Sequence, residues 1–307
     1  MDRDRVRVKL IAAFAALVLT GAAAPGPLLL REQAWTAPGD TLAHDLTHAS
    51  GECLAARTPQ TEIGRALFRS PVLLGGPAAR AGLSCNACHS NGRVNARFLL
   101  PELTDRAGHA DVTSEWSSHV RGDGVLNPLP IPDLADVSAR ATFGHTRQPS
   151  LEAFVSSAIV DEFQGQPPPA QAFDGMIAYL RALRSDACPA AEAAVTLGSA
   201  ADDVRRAVTA AEGADTETAQ LLLLAGQDAI GRIVERLPAR AFSRDRARFE
   251  ELARELGALR NAADLQSAMA TALPGWRARF DAAVTRTARR EGRTYFNEAT
   301  LRRALSR

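Results

Sequence analysis

The chain of 307 residues carries 36 Lys and Arg against 35 Asp and Glu, a formal net charge of +1. So even a balance gives no general pull towards nucleic acid or anionic lipid, and no nucleic-acid partner is expected. The basic residues are nearly all Arg, with Lys9 the single Lys, and they alternate with Asp and Glu as on an ordinary solvated surface. An apolar content of 46% supports a sizeable core, and the length suits about two domains.

In chain order, MDRDRVRVK has a positive excess, LIAAFAALVLTG is a continuous apolar run, and Ala22 to Ala24 offer small residues for cleavage. That is the order of a secretory signal peptide over residues 1–24. The run is shorter than the roughly 20 residues of a comfortable membrane span, an uncleaved N-terminal anchor being the alternative. Export to the periplasm is the expectation. Residues 25–52, rich in Pro, Gly, Ala and Thr and without periodicity, read as an extended lead-in. A helix is expected over 61–70, TEIGRALFRS, with Ile63, Leu67 and Phe68 on one face. Gly75-Gly76-Pro77 then breaks the chain before SCNACHSNGR at 84–93.

From 92 to 148 the sequence is loop-rich, with Asp, Gly and Pro recurring in RGDGVLNPLPIPDL. Two helical stretches follow, SLEAFVSSAIVDEF and AQAFDGMIAYLRAL. In the second, Phe173, Ile177, Leu180 and Leu183 form an apolar stripe. After Cys188-Pro189 apolar residues repeat at helical spacing through Val204 and Val208, Leu223 to Leu237, Phe242 to Leu259, and Trp276 to Val284. Breaks are expected at Gly213, Leu237-Pro238 and Pro274-Gly275. This describes an antiparallel bundle of four or five helices over 190–307. The region has no His and no Cys, so it reads as a packing or docking module. The fold class is mainly α.

The chemistry sits in Cys85-Asn86-Ala87-Cys88-His89. A structural zinc site needs four ligands, usually from two such pairs, and only one pair is present. A thioredoxin-type pair needs a strand before the motif, and Gly75 to Gly82 is too rich in Gly and Ala for one. A covalent haem needs what is there: two thiols for the vinyl groups and a His to reach the iron. Cys85 and Cys88 are therefore the expected attachment points of one haem c, and His89 its proximal ligand. With those thiols used, Cys53 and Cys188 are the remaining pair. They bracket the haem segment, and a disulfide between them would tie its entry to its exit. The haem c domain is expected over 53–189.

Over about residues 61–184 the chain resembles the cytochrome c domain of the bacterial di-haem cytochrome c peroxidases and methylamine-utilisation enzymes. The matching pieces are IGRALFRSPVLLGG, SCNACHSNGR, HADVTS, RGDGVLNPLPIPDL and FGHTRQPSLEAF. The resemblance implies a loop-rich c-type cytochrome domain and reduction of hydrogen peroxide or another small oxidant, with a redox partner protein as donor or acceptor. It also implies a haem-neighbouring role for His145 and a displaceable-ligand position near His109. Met176 on the closing helix is the other candidate for the distal side. The chain departs from the family in three respects. It has one haem motif instead of two. Ala158 stands where many relatives place a ligating Met. Thr146 replaces the Asp-Gly of the His-Asp-Gly-Arg run. A non-catalytic electron-transfer cytochrome is thus the alternative to an enzyme, and a haem-based sensor a third class.

Overall fold

The computed structural model describes residues 29–144 and 147–306, so the expected signal peptide and His145 lie outside the described residues. The protein is mainly α-helical, with four strands of two residues each among the described residues. In chain order the first half contains α1 (Leu42–Asp45), β1 (His48–Ala49), α2 (Pro59–Phe68), α3 (Gly76–Arg80), α4 (Cys85–Cys88), β2 (His109–Ala110), β3 (Leu129–Pro130), α5 (Leu151–Ser157) and α6 (Ala170–Arg181). The second half contains β4 (Ala193–Ala194), α7 (Leu197–Glu212), α8 (Thr216–Glu235), α9 (Ser243–Arg260), α10 (Leu265–Ala288) and α11 (Glu298–Leu305).

The lead-in is not simply extended. A 3-10 turn over Arg31–Trp35 precedes α1, and β1 pairs antiparallel with β4, His48 opposite Ala194. Helix α2 starts two residues before the expected boundary. Thr58 caps it, its Oγ1 accepting from the Thr61 N–H at 3.2 Å while its own N–H donates to Thr61 Oγ1 at 2.8 Å. Pro59 follows at the first helical position, where a missing N–H loses no hydrogen bond. Helices α2 and α6 cross closely at two glycines. A Cβ on Gly64 would lie 1.9 Å from the Gly175 carbonyl oxygen, so neither position has room for a side chain. Helix α5 is capped by Ser150 and runs on as a π-turn over Ala158–Glu162.

Helices α7 to α10 pack in a ring: α7 on α8, α8 on α9, α9 on α10, and α10 back on α7. The expected break at Pro274-Gly275 does not occur, and α10 runs unbroken through both residues. Both are exposed, whereas Leu273, Trp276 and Phe280 are buried on the opposite face. Trp276 also donates Nε1–H to the Leu252 carbonyl of α9 at 3.0 Å. Burial of two large aromatics is worth several kcal/mol, which exceeds the roughly 3 kcal/mol that an interior proline costs.

The largest buried cluster crosses the expected boundary near residue 190. It runs from Cys53, Ile63 and Phe68 through Met176 and Tyr179 to Val204, Ile230, Phe249 and Phe280. Helix α2 joins the halves by packing on α6 as well as on α7 and α8. Cys53 and Cys188 are linked by a disulfide across a sequence separation of 135. Closing a loop of that length stabilises the fold by about 4–5 kcal/mol in the chain-entropy picture.

Several arginines are interior groups, contrary to their reading as solvated surface. Arg65 and Arg236 are 7% and 4% exposed. The buried carboxylate of Asp203 on α7 lies 2.8 Å from Arg65 Nη1 on α2, 3.0 Å from Nη2 of Arg69, which caps the C-terminus of α2, and 3.8 Å from Arg232 Nη2 on α8. These partners are 134 or more residues apart along the chain or on a different helix, which sequence spacing cannot show. Burial alone would raise the Asp203 carboxyl, but the charges of Arg69, Arg65 and Arg232 outweigh it and hold the group well below the usual carboxylate range. A folded-state value below the unfolded one stabilises the fold above the ordinary carboxylate range. That contribution is lost as the pH falls through it towards the folded-state value.

Asp203→Asn leaves three guanidinium groups without their shared counter-charge. It is expected to lower the unfolding free energy by about 3–5 kcal/mol at pH 7. Urea unfolding at pH 7 and pH 3 should also show a shallower acid loss in the variant than in the parent protein, and equal acid losses would contradict the assignment. Pro274→Ala, by contrast, restores an interior helix hydrogen bond at an exposed position. It should raise the melting temperature, with a gain of up to about 3 kcal/mol. A lowered melting temperature would mean that the pyrrolidine ring packs favourably.

Candidate functional site

Helix α4 is a single turn that carries both free thiols, Cys85 and Cys88. His89 follows at its C-cap, with its N–H donating to the Cys85 carbonyl at 2.9 Å. One turn is enough because its ends are tied down from outside. Asn95 donates its N–H to the Cys88 carbonyl and its Nδ2–H to the Ala87 carbonyl, both at 2.8 Å. The chain then reverses through Asn91 and Gly92, at φ +55° and +85°. Asn tolerates the left-handed region, and here its side chain is also held. Asn91 donates Nδ2–H to the Ser50 carbonyl at 2.6 Å and accepts at Oδ1 from Arg69, the same arginine that pairs with Asp203.

This reversal positions the His89 ring. The Gly92 carbonyl accepts from the Leu134 N–H at 2.9 Å, and Arg93 Nε donates to Asp133 Oδ2 at 2.7 Å. Asp136 N–H in turn donates to the Leu183 carbonyl at 2.9 Å, which fixes the 132–137 segment against the end of α6. Pro132 is thereby set with its carbonyl oxygen 3.0 Å from His89 Nδ1. Opposite a carbonyl, Nδ1 can only be the protonated nitrogen, so Nε2 carries the lone pair. Burial lowers the imidazole to about 4, and the charge of Arg140 acts in the same direction against the Pro132 carbonyl and Asp133. The ring is therefore neutral near pH 7, with one nitrogen anchored and the other free to ligate. A metal-binding imidazole is oriented in this way.

Burial raises the Cys85 thiol to about 11, and it raises the Cys88 thiol further. Neither is a thiolate near neutrality, unlike the activated cysteine of a disulfide-exchange pair. No strand leads directly into the motif either: α3 and a turn do. Among the described residues the single trio of His, Cys, Asp and Glu donors that converge on a point lies elsewhere, at His44, His48 and Glu298. Cys85, Cys88 and His89 thus do not surround one small ion. Divergent donors suit a group with thiol-reactive edges and a central metal, as haem has. Cys85 packs against the large cluster, whereas Cys88 packs against a second one formed by Trp35, Leu83, Phe98, Leu103 and Ile131. The motif lies at the seam between two apolar surfaces.

Among the described residues neither His109 nor Met176 is hydrogen-bonded to the motif. His109 is engaged on its own loop: its Nε2 accepts from Arg106 Nε at 3.3 Å, and Nδ1 lies 3.3 Å from the Ala107 carbonyl. Met176 is a core residue of α6, 1% exposed, in line with Ala172, Tyr179 and Leu183. His145 is outside the described residues. Sequence reasoning assigned no role to Pro132, although the quoted RGDGVLNPLPIPDL contains it. A backbone carbonyl gives no residue-type signal. It also passed over Glu162, buried at the end of the π-turn and paired with Arg121. Burial raises the Glu162 carboxyl, Asp161 and Asp111 add to the shift, and Arg121 opposes it.

No protein-family model, curated protein or solved structure matches the chain. Among the described residues no helix is long and apolar enough to cross a membrane.

Gly92→Ala tests the reversal that sets Pro132. The new Cβ would lie 2.8 Å and 2.9 Å from the two methyls of Leu183, at a φ of +85° that L-residues rarely adopt. The expected cost is about 1–3 kcal/mol by denaturant unfolding. Nuclear magnetic resonance should show the His89 Nδ1 proton in faster exchange than in the parent, and unchanged exchange would separate the turn from the ring.

Proposed function

We propose that the chain is a c-type haem protein in which Cys85 and Cys88 hold one haem through thioether bonds and His89 ligates its iron through Nε2. The observation that carries this reading is the hydrogen bond from His89 Nδ1 to the Pro132 carbonyl, 3.0 Å long, on a ring kept neutral by burial. It leaves one nitrogen as a directed ligand beside two thiols on one helical turn. When bound, haem c supplies a one-electron iron couple whose free or filled sixth position separates chemistry on a small oxidant from simple electron transfer. In this reading residues 53–189 form a c-type cytochrome domain and 190–307 a helical bundle that supports it. Export to the periplasm would give the chain access to haem attachment.

The reaction inferred is reduction of hydrogen peroxide or another small oxidant, with electrons from a redox partner protein. Two features support it. Ala158, at the head of the π-turn, removes the usual ligating Met. Four residues later the turn ends in Glu162, a buried carboxyl displaced towards its neutral form, as a proton carrier requires. Arg121 holds this group in place. The alternative, an electron-transfer cytochrome, draws its support from the single haem motif, which leaves the chain without an internal source of a second electron.

Expression with a cytochrome c maturation system should give a coloured protein whose haem survives acid–acetone extraction and is lost in the Cys85→Ala, Cys88→Ala double variant. A colourless, well-folded product would defeat the proposal. With haem content equal, Glu162→Gln should lower kcat for peroxide-dependent donor oxidation by about 100-fold or more while leaving KM for the donor little changed. Absence of peroxide turnover in the parent, with a spectrum unchanged by cyanide, would leave the electron-transfer reading.

A further inference from the structure

We propose that His44, His48 and Glu298 form a second metal site, for a divalent first-row ion such as zinc, which clasps the lead-in to the last helix. Three distant stretches of chain converge here for reasons independent of any ion. Thr47 Oγ1 donates to the Ala43 carbonyl at 2.7 Å and continues the turn of α1, so His44 and His48, four residues apart, stay on one face. Ala43 and Leu46 of that turn are buried against Leu301, which brings the first turn of α11 alongside. Pairing of β1 with β4 brings Glu192 to the same corner.

The two imidazoles stack with ring centroids 4.1 Å apart. Glu298 Oε2 lies 3.3 Å from His44 Nδ1 and 4.0 Å from His48 Nδ1, and the donor atoms of all three residues fall within 4.8 Å of one another. Neighbouring ligands on a tetrahedral zinc ion are about 3.3 Å apart, given bond lengths near 2.0–2.1 Å. The trio is therefore within about 1.5 Å of a coordinating arrangement. The rings, inclined by 18°, would have to open about their χ2 bonds so that both lone pairs face the ion. Side-chain exposures of 44% and 27% leave them room to turn. Glu298 Oε1 is engaged by Arg302, which leaves Oε2 to face the ring nitrogens. Glu192 Oε2, 3.5 Å from His44 Nε2, is the nearest further carboxylate and is well exposed. Two imidazoles with one carboxylate suit zinc, copper or nickel better than calcium or magnesium. A His–Glu ion pair alone would account for His44, whereas His48 Nδ1 lies nearer the His44 carbonyl, at 3.3 Å, than Glu298 Oε2 and would have to turn away from that carbonyl to ligate. The site uses neither thiol, nor His89, and is separate from the haem proposal.

The test uses the full, matured chain stripped with a chelator, with zinc alone as the probe. Equilibrium dialysis should give one zinc per chain. His44→Ala, His48→Ala and Glu298→Gln should each weaken binding at least about tenfold, while His119→Ala should not. Zinc K-edge absorption, which haem iron does not obscure, should show two imidazole nitrogens. At a zinc concentration a hundred times Kd, amide exchange in α11 should slow by up to about a hundredfold. Glu298→Gln keeps a hydrogen-bonding group beside His44, so its result does not depend on how well the alanine variants fold. No retained zinc, binding indifferent to any of the three substitutions, or fewer than two imidazoles at the ion would each overturn the proposal.

Discussion

A buried carboxylate surrounded by guanidinium groups holds the two halves of this molecule in register. Asp203 on α7 faces Arg65 of α2, Arg69 at its C-cap and Arg232 of α8. Around it, Arg65, Arg69, Arg206 and Arg232 meet Glu52, Glu62, Asp203 and Asp228. Tyr179 adds a hydroxyl to Glu52 at 3.0 Å. A buried ion cluster gains little over an apolar core of the same shape, because the desolvation cost of each charge is large. What it does provide is an orientation, since carboxylates and guanidinium forks satisfy one another in few arrangements. The apolar contacts of α2 with α7 and α8 would tolerate a slide or a small rotation. The charges would not.

That constraint reaches the Cys-x-x-Cys-His motif through one residue. Arg69 pairs with Asp203 at one end of its guanidinium and donates to Asn91 at the other. Asn91 occupies the left-handed position two residues after His89 and also ties the turn to Ser50. From there Gly92 fixes Leu134, the 132–137 segment follows, and Pro132 meets His89. The direction of one ring nitrogen is thus set by a path of hydrogen bonds that begins on α7. The helices after residue 190 bring no His or Cys to the site, yet they take part in positioning it.

The helices and the motif were legible in the sequence because their signals are local. Apolar spacing marks α2, α6 and the helices from α7 onward, and Cys-x-x-Cys-His marks α4 whatever surrounds it. Where the reading failed, the deciding interaction was distant. Pro274 and Gly275 read as a break, but Trp276 and Phe280 bury enough surface to carry α10 through them. The lead-in reads as extended because the order of its described part, residues 29–52, comes from partners such as Ala194 and Leu301. Arginines read as surface because 134 residues separate Arg69 from its carboxylate. Pro132 escaped notice for another reason: its backbone oxygen, not its side chain, does the work.

The position of the motif between two apolar clusters bears on how the domain completes itself. Cys85 belongs to the packing of the large cluster, and Cys88 to that of the second, around Phe98 and Leu103. Clusters that do not merge contribute less cooperativity than one core of the same total area, since each can loosen without exposing the other. In the haem reading, one rigid apolar group bonded to both thiols would touch both surfaces at once and couple their opening. The anchors of α4 would then serve assembly before chemistry. Asn95 and Asn91 hold a single helical turn that has too few internal hydrogen bonds to persist alone, so in that reading both thiols and the imidazole would be presented together to the group.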